Sequence, residues 1–471
     1  MIFRKFLIAG YSAMLAGSAH SALAQSVVNQ SPGPVTLEEA VRVAVNSNPQ
    51  VAQAQYNKEA IQFERKQAQG LYAPRIDVEA SAGVRHLDNT TRRSLGIQNQ
   101  ELYPLEAFAK GEFIVADFGR RRGELLRQAA RVDGASLRVV ERSEFIALQV
   151  SRQYLDLLLQ QRVVAASQDN VTFHQALVND LGTGVQQGSI SIADQQQAQE
   201  RLQAAVVRQV EAEQSMEEAR ITLRRLTGLD LDQVTLPPTL AENLPGSVDE
   251  AVGIARTTNP RIREAEADVD AAHAMADSAK GDLFPRIGVD VTGRIGEDVD
   301  GFRGTTRDVQ ARAFLRWNVF DGGINRAKYQ EMVRRSSESR YQLYQVVREA
   351  EEDVRSAYNS LRTQTRVSQE LATQSQVTDD LLLSYRSQFN VGRRSLLDVL
   401  DAQNTRYNVQ VRLETARFSQ IFARYQALAA TNRLLTGLRV EPGAGAGEAE
   451  RARFNFGPPK PAELEYRTPP K

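Results

Sequence analysis

The sequence of 471 residues contains no cysteine. Disulfides, thiolate metal sites, a cysteine nucleophile and a lipid-modified N-terminal cysteine are therefore excluded. Histidine is scarce too, and the four residues of this type are scattered singly along the chain. We therefore predict neither a bound metal nor a cofactor.

A net charge of one sign is also lacking, since Lys plus Arg and Asp plus Glu each number 58. Without a net positive field, the chain has no general means of collecting nucleic acid. The sequence contains no Gly-x-Ser-x-Gly, no His-Glu-x-x-His and no phosphate-binding glycine loop. These absences predict a protein that is not an enzyme and has no nucleic-acid partner.

Residues 1–24 have the pattern of a secretory signal peptide. Arg4 and Lys5 begin it, a short apolar segment follows, and residues 22–24 (ALA) offer the small side chains of a cleavage site. An uncleaved membrane anchor is the alternative, but the apolar segment is short for a membrane span. After the signal peptide, no run of 18 apolar residues occurs. We expect an exported protein that crosses no membrane with a helix.

The rest of the sequence contains an internal repeat in two copies. Asn48-Pro49 returns as Asn259-Pro260 at an offset of 211, and later landmarks return at an offset of 204. These later pairs are Asp117 and Asp321, Gly119 and Gly323, Tyr154 and Tyr358, Gly188 and Gly392, and Asp194 and Asp398. A shared order of landmarks indicates duplication of a whole structural unit. The change of offset gives the first copy a longer connection before its Asp-x-Gly.

The repeat predicts the domain organisation. After the signal peptide at 1–24 come a first repeat at 25–228, a linker at 229–246, a second repeat at 247–437 and a tail at 438–471. The tail is rich in proline, glycine, alanine and charge, a composition typical of disorder. We therefore expect the tail to be disordered.

Each copy predicts a strand hairpin with one apolar and one charged face. Residues 75–85 and 286–294 alternate apolar and polar side chains, and residues 107–115 and 308–317 provide partner strands. A soluble sandwich would also produce this alternation. However, strands of roughly 9 to 11 residues suit a tilted membrane crossing, and a charged face suits a water-filled lumen.

Very long helices follow each hairpin. Residues 135–181 and 324–391 contain neither glycine nor proline, and the second of these segments would form a helix about 100 Å long. The return arms at 189–227 and 393–436 also lack both residue types. Apolar positions recur three and four apart, as in coiled coils. We predict two helical hairpins that turn at Gly188 and Gly392.

Membrane insertion would require an oligomer. Four strands cannot close a barrel, and an open sheet edge is not tolerated in hydrocarbon. Several chains would therefore share one barrel in contact with membrane lipid.

Two segments carry a family resemblance: residues 317–323 (WNVFDGG) and residues 389–403 (FNVGRRSLLDVLDAQ). With the duplication, they make the chain resemble the TolC-type outer-membrane efflux proteins, up to residue 437. The resemblance implies a mixed fold: a trimeric, twelve-stranded outer-membrane barrel continuous with a periplasmic α-helical coiled-coil tunnel. It also implies an exit duct that works with a periplasmic adapter and an inner-membrane transporter.

The resemblance leaves alternatives for the transported substrate. The chain resembles the non-lipidated branch of the family. The sequence of residues 393–403 is most similar to members that serve type I protein secretion beside an ABC transporter. The alternative is the outer channel of a multidrug efflux pump with a proton-driven transporter. An alternative of another class is a secreted coiled-coil structural or adhesin-like protein, which does not explain two hairpins at matching positions.

The turns at the far end of the long helices are the predicted functional site. By resemblance, the adapter docks on the tip residues Gln187, Gly188, Ser189, Val391, Gly392 and Arg393. Glycines that merely permit a left-handed turn are the alternative.

A periplasmic gate is predicted beside this tip. Asp398 and Asp401 lie three apart, so three chains would form two stacked carboxylate rings. By resemblance, Asp194 and Arg394 join this constriction as a pair, and Phe389 stands where the family usually has a tyrosine. Aspartates that only complement the helix dipole are the alternative.

Overall fold

The structure is a computed structural model that describes residues 34–231, 233–447 and 449–453. The predicted signal peptide and the end of the predicted tail lie outside the described residues.

One order of elements occurs twice: two short helices, two strands and two long helices. The first copy contains α1 (Leu37–Ser47), α2 (Pro49–Gly70), β1 (Arg75–Ala82), a short α3 (Thr90–Ser94), β2 (Leu105–Ala116), α4 (Arg120–Gln186) and α5 (Ile192–Thr227). The second copy contains α6 (Val248–Thr258), α7 (Pro260–Gly281), β3 (Arg286–Glu297), β4 (Thr305–Arg316), α8 (Ile324–Asn390), α9 (Leu396–Ala430) and a short α10 (Leu434–Gly437).

The repeated Asn-Pro landmark begins a helix and fixes its position. In both copies the asparagine side chain accepts a hydrogen bond of 2.9 Å from the backbone N–H two residues later. The proline then occupies the first helical turn, where no backbone donor is needed. The Asn48 amide also donates to the carbonyl of Leu226 (3.3 Å), and the Asn259 amide donates to that of Ala430 (3.5 Å). Each asparagine therefore links its helix to the end of a return arm.

Helix α4 begins earlier than its glycine-free segment suggests, because it passes through glycines at 123 and 134. A Cβ on Gly123 would lie 2.5 Å from the backbone nitrogen of Ser278 in α7. Glycine lowers helix propensity, but here it allows α4 and α7 to approach closely. Tertiary packing explains why these glycines do not end the helix.

The four strands form one antiparallel sheet in the order β1-β2-β3-β4. One row across the sheet joins Val78, Ala109, Gly293 and Val309, and it belongs to an exposed apolar face. Val78 is 76% exposed and Val309 is 81% exposed. Valine side chains are normally buried. Their exposure here means that the apolar face has no partner within the described chain.

The opposite face of the sheet is charged and internally paired. A row three residues away from the first joins Arg75, Glu112, Asp290 and Arg312. Arg312 contacts the Asp290 carboxylate at 2.8 Å, and Arg316 contacts Glu112 at 3.0 Å. The prediction of one apolar and one charged face is thus confirmed for this sheet.

The longer connection of the first copy contains α3, which the sequence analysis did not predict. Arg92 in α3 is 1% exposed, and its guanidinium donates to the carbonyls of Gly301 (2.6 Å), Ile97 (2.7 Å) and Gln100 (2.6 Å). Because Gly301 belongs to the connection between β3 and β4, Arg92 ties the two strand connections together.

The largest apolar core lies where the short helices meet the long ones. It joins α1, α4, α5, α9 and α10 through buried residues that include Val41, Val150, Leu223, Tyr425 and Leu434. Among the described residues, no helix is both long enough and apolar enough to span a membrane.

The prediction of a disordered tail from residue 438 is wrong for residues 438–447 and 449–453. Leu438 and Val440 are buried in the core. Further along, the Asp133 carboxylate accepts hydrogen bonds from the backbone N–H groups of Glu450 (2.6 Å) and Arg451 (3.0 Å). The composition of this segment predicted disorder. The prediction failed because the partners of the segment are charged side chains on distant helices, which composition does not reveal.

Glu144 in α4 contacts the start of α10 and yields a stability prediction. Its carboxyl accepts a hydrogen bond from the backbone N–H of Leu435 (3.3 Å), and burial raises its pKa from 4.5 to about 8. The folded protein therefore keeps this group protonated, and the free energy of unfolding decreases as the pH rises from 4.5 to about 8. Glu144→Gln should remove this part of the pH dependence.

We expect the melting temperature of the detergent-solubilised Glu144→Gln variant to fall less between pH 5 and pH 8.5 than that of the wild type. Glu370→Gln, at an exposed position on α8, is the matched control and should follow the wild type. Equal slopes for Glu144→Gln and the wild type would contradict a protonated Glu144.

Candidate functional site

The two helical turns have the same backbone geometry. Gly188 has φ of +71° and Gly392 has φ of +72°, both in the left-handed region. The N–H of Ser189 donates to the carbonyl of Gly184, and that of Arg393 donates to the carbonyl of Gln388, both at 2.9 Å. This is the glycine-dependent C-terminal cap in which a backbone donor reaches back into the last turn.

A serine begins each return helix and holds an aspartate. The Ser191 hydroxyl lies 2.7 Å from the Asp194 carboxylate and accepts from the Asp194 N–H at 3.1 Å. Ser395 repeats this arrangement with Asp398, at 2.7 Å and 3.2 Å. Both aspartates therefore complete a helix N-terminal cap. This contact supports the alternative in which they serve the start of the helix.

Asp401 differs from the two capping aspartates. It is exposed one turn further along α9, and its carboxylate has no hydrogen-bond or ion-pair partner within the described part of the chain. Among the acidic residues of the predicted gate, Asp401 is therefore the one whose charge is not balanced or hydrogen-bonded within the described chain.

Among the described residues, Arg394 is held by side chains of the second hairpin alone. Its guanidinium lies over the Tyr385 ring at 4.0 Å, its Nε donates to the Gln388 amide oxygen at 3.3 Å, and it lies 3.8 Å from the Asp398 carboxylate. Within one chain its carboxylate partner is Asp398, and its pairing with Asp194 stays a prediction. The sequence analysis missed Tyr385 and Gln388, although their i, i+3 spacing on α8 places both on one face.

Phe389 contributes packing at this position. It lies against the buried cluster of Leu177, Leu181, Ala198, Leu396 and Leu400, which joins α4, α5 and α9. Ile190, beside the first turn, packs on the same cluster. The structure thus brings both turns to one end of the paired hairpins.

The predicted tip residues are accessible at this end. Gln187, Gly188, Ser189, Val391, Gly392 and Arg393 are all exposed. Val391 is the largest apolar side chain among them, so the tip offers an apolar contact flanked by polar groups.

A buried polar seam joins the two hairpins behind the tip, and the sequence analysis did not identify it. Asn170 in α4 accepts from the Gln403 amide in α9 at 2.8 Å, and the Ser167 and Tyr407 hydroxyls lie 2.9 Å apart. These side chains lie on helix faces that also carry buried apolar residues. Their pairing can be seen only once the two hairpins are placed together.

His174 lies one turn from Asn170 in the same seam. Burial, with the charges of Arg208 and Arg201, lowers its pKa from 6.5 to about 4. The imidazole is therefore neutral in the folded protein at neutral pH. Because the folded pKa is depressed, packing at the seam weakens as the pH falls below 6.5 toward 4.

This sign predicts a pH-dependent difference between wild type and His174→Gln. The measured quantity is the exchange rate of the wild type divided by that of the variant, for the amides of residues 165–178. This ratio should be higher at pH 5 than at pH 7.5. Comparing proteins at one pH removes the intrinsic pH dependence of exchange. His86→Gln, in an exposed strand connection, is the control. A ratio that does not change with pH would contradict the neutral, buried His174.

A charged cavity of about 830 Å³ lies at the other end of the helices, where they meet the sheet. Its walls include the ion pairs Arg121–Asp117 (2.8 Å) and Arg120–Asp282 (3.3 Å). Among the described residues, no cluster of three potential metal ligands occurs.

Comparison with known proteins identifies the family. The family of outer membrane efflux proteins matches the chain twice, over residues 40–229 and 251–436. The chain belongs to the outer membrane efflux protein family. The resemblance found in the sequence is thereby confirmed.

Individual relatives are distant. The outer membrane efflux protein BepC of Brucella suis is 24% identical over 299 residues, which cover 62% of this chain and 65% of BepC. The alkaline protease secretion protein AprF of Pseudomonas aeruginosa is 26% identical over 248 residues. That match covers 50% of this chain and 51% of AprF, so this chain spans about half of AprF's length.

A solved structure supports the fold. The outer membrane channel CmeC of Campylobacter jejuni matches with a TM-score of 0.76 and 13% identity, over 84% of this chain and 86% of CmeC. At this identity the match establishes the fold alone. Members of the outer membrane efflux protein family are non-enzymatic and lie in the outer membrane with their helical part in the periplasm. This places the present chain there too and confirms that it is not an enzyme.

Proposed function

We propose that three copies of this chain form an outer-membrane exit duct. The observation that carries the proposal is a four-stranded sheet with an exposed apolar face, joined directly to two long helical hairpins. Burying the apolar face in lipid removes this surface from water. The charged face, with its pairs Arg312–Asp290 and Arg316–Glu112, then lines an aqueous lumen.

The sheet edges support an oligomer of this kind. Strands β1 and β4 each have one neighbouring strand within the described chain. In hydrocarbon, backbone groups without partners are costly, so the edges must pair. Twelve strands from three chains would close a barrel, and the six helical hairpins would continue it as a tunnel.

The position of the tip supports the proposed partners. The turns at Gly188 and Gly392 form the end of the hairpins away from the sheet, so they would face a periplasmic adapter and, beyond it, an inner-membrane transporter. AprF is a protease secretion protein, which favours type I protein secretion beside an ABC transporter. BepC is an efflux protein, which keeps multidrug efflux with a proton-driven transporter as the second candidate.

The oligomer predicts a specific product on cross-linking. Detergent-solubilised protein should cross-link to three chains and no further, and it should conduct ions after insertion in a planar bilayer. A protein that is recovered as a soluble monomer without detergent would contradict the proposal.

The gate is proposed at three acidic residues near the tip, of which Asp194 and Asp398 are half-buried and Asp401 is exposed. One exposed Arg–carboxylate contact contributes only about 0 to 1 kcal/mol, so the closed state must depend on threefold repetition. Arg394→Ser with Asp194→Ala should raise single-channel conductance. Asp398→Asn with Asp401→Asn should lower cation selectivity, because it removes two rings of charge with little change in volume.

Asp380→Asn, at an exposed position ten residues before the end of α8, is the control for the gate variants and should leave conductance and selectivity unchanged. If both double variants conduct and select as the wild type does, the gate lies elsewhere in the tunnel.

Docking at the tip predicts a strong effect of bulk at Gly392. A Cβ there meets no atom within 4 Å, so Gly392→Leu adds bulk to an open surface. We expect export and adapter cross-linking to be lost while the trimer persists.

Gly228→Leu is a matched control for backbone strain. Gly228 caps α5 with φ of +73°, and a Cβ there also meets nothing within 4 Å. The conformational strain of the two substitutions is therefore similar, on the order of 1–2 kcal/mol. Equal loss of export in both variants would show that strain, and not docking, causes the defect.

A further inference from the structure

An apolar belt surrounds the points where strands and long helices join. We define the junction belt as Tyr72, Phe118, Phe284, Trp317, Val319 and Phe320. Each lies within four residues of a strand end. Phe320 is 86% exposed and Val319 is 74% exposed, and the rings of Phe118 and Phe284 stack at 5.5 Å. Exposed aromatic side chains in such a belt mark the interface between lipid and water.

Two arginines lie just beyond the junction belt, one in each copy. Arg122 and Arg326 are both the third residue of their long helix, and they are related by the repeat offset of 204. Both are exposed, and neither has a carboxylate partner within the described part of the chain. Nearby cations are paired: Arg121 contacts Asp117 at 2.8 Å, and Lys328, two residues after Arg326, contacts Asp282 at 3.4 Å.

Helix geometry directs both arginines away from the charged cavity. The cavity is lined by Glu124 of α4 and by Lys328 of α8. Residues two apart on an α-helix are separated by about 200° around its axis. Arg122 therefore lies opposite Glu124, and Arg326 lies opposite Lys328.

The outward direction of Arg122 has independent support. Asp133 lies eleven residues further along α4, close to three full turns, and so shares the face of Arg122. Asp133 is covered by the C-terminal segment, which contacts it through Glu450 and Arg451. This is the face away from the cavity.

We propose that Arg122 and Arg326 bind the phosphate groups of anionic phospholipids in the leaflet nearest the helices. This inference rests on the proposed membrane placement of the sheet. The junction belt sets the level of the lipid headgroups, and an unpaired guanidinium at that level can contact a phosphate through two parallel hydrogen bonds. Three chains would present six such arginines, which would favour phosphatidylglycerol over a zwitterionic lipid.

The test uses the full chain in detergent and short-chain phosphatidylglycerol as the probe, with phosphatidylcholine as the comparator. Binding is measured by titration and by native mass spectrometry of retained lipid. Arg122→Gln with Arg326→Gln should weaken phosphatidylglycerol binding by roughly fivefold for each arginine removed. Phosphatidylcholine binding should weaken less, because the choline cation offsets the charge of its phosphate. Arg366→Gln with Arg412→Gln, two exposed arginines away from the belt, is the matched control and should bind as the wild type does.

Each outcome decides the inference. Equal affinity of the wild type for the two lipids, or an unchanged affinity in the Arg122/Arg326 variant, would overturn it. Full displacement of the lipid by equimolar inorganic phosphate would show a free-phosphate site and overturn the lipid assignment. The oligomer and the conductance in a phosphatidylcholine bilayer are measured in parallel. A wild type that forms trimers and conducts but does not prefer phosphatidylglycerol would contradict this inference alone, whereas a wild type that does neither would contradict the proposed function as well.

Discussion

The two unpaired edges of the four-stranded sheet constrain the whole molecule. Strands β1 and β4 each have one neighbour, while the face they share is apolar and exposed. Water could satisfy the edges, but water would leave the apolar face unfavourably exposed; lipid would bury the face but could not satisfy the edges. In the proposed assembly, β1 of one chain pairs with β4 of the next, which satisfies both requirements. The long helices are then brought side by side as a consequence of closing the sheet.

Duplication supplies a common scaffold, and the copies differ where the proposed function needs them to. Asn48 and Asn259 perform the same capping and linking role, and Tyr154 and Tyr358 each donate to a backbone carbonyl that precedes the first helix of a copy. At the tip, however, Arg394 of the second copy stands where the first copy has Ile190 at the offset of 204. The first turn packs through an apolar side chain, whereas the second places a half-buried charge there. The proposed gate thus depends mainly on the second copy.

The sequence predicted the elements whose cause is local. The strands follow from alternation, and the helical turns follow from Gly188 and Gly392, whose φ angles are left-handed. These features depend on residues a few positions apart.

The features that escaped prediction depend on distant partners. Helix α4 continues through Gly123 because α7 packs against it, and the C-terminal segment is ordered because Asp133 accepts its backbone donors. The seam of Asn170 with Gln403 joins residues 233 positions apart. For the candidate site, sequence reasoning named the exposed residues of the tip but not Tyr385 and Gln388, which hold Arg394 in place.

The central claim is that the sheet is completed only by other copies of the chain. Cryo-electron microscopy of the protein in lipid nanodiscs tests it most directly, because the pairing of the edge strands is visible in the map. The account predicts three chains around one axis, with β1 of each chain hydrogen-bonded along its length to β4 of the next. A particle in which β1 and β4 remain unpaired, or in which the sheet closes with a different number of chains, would contradict it.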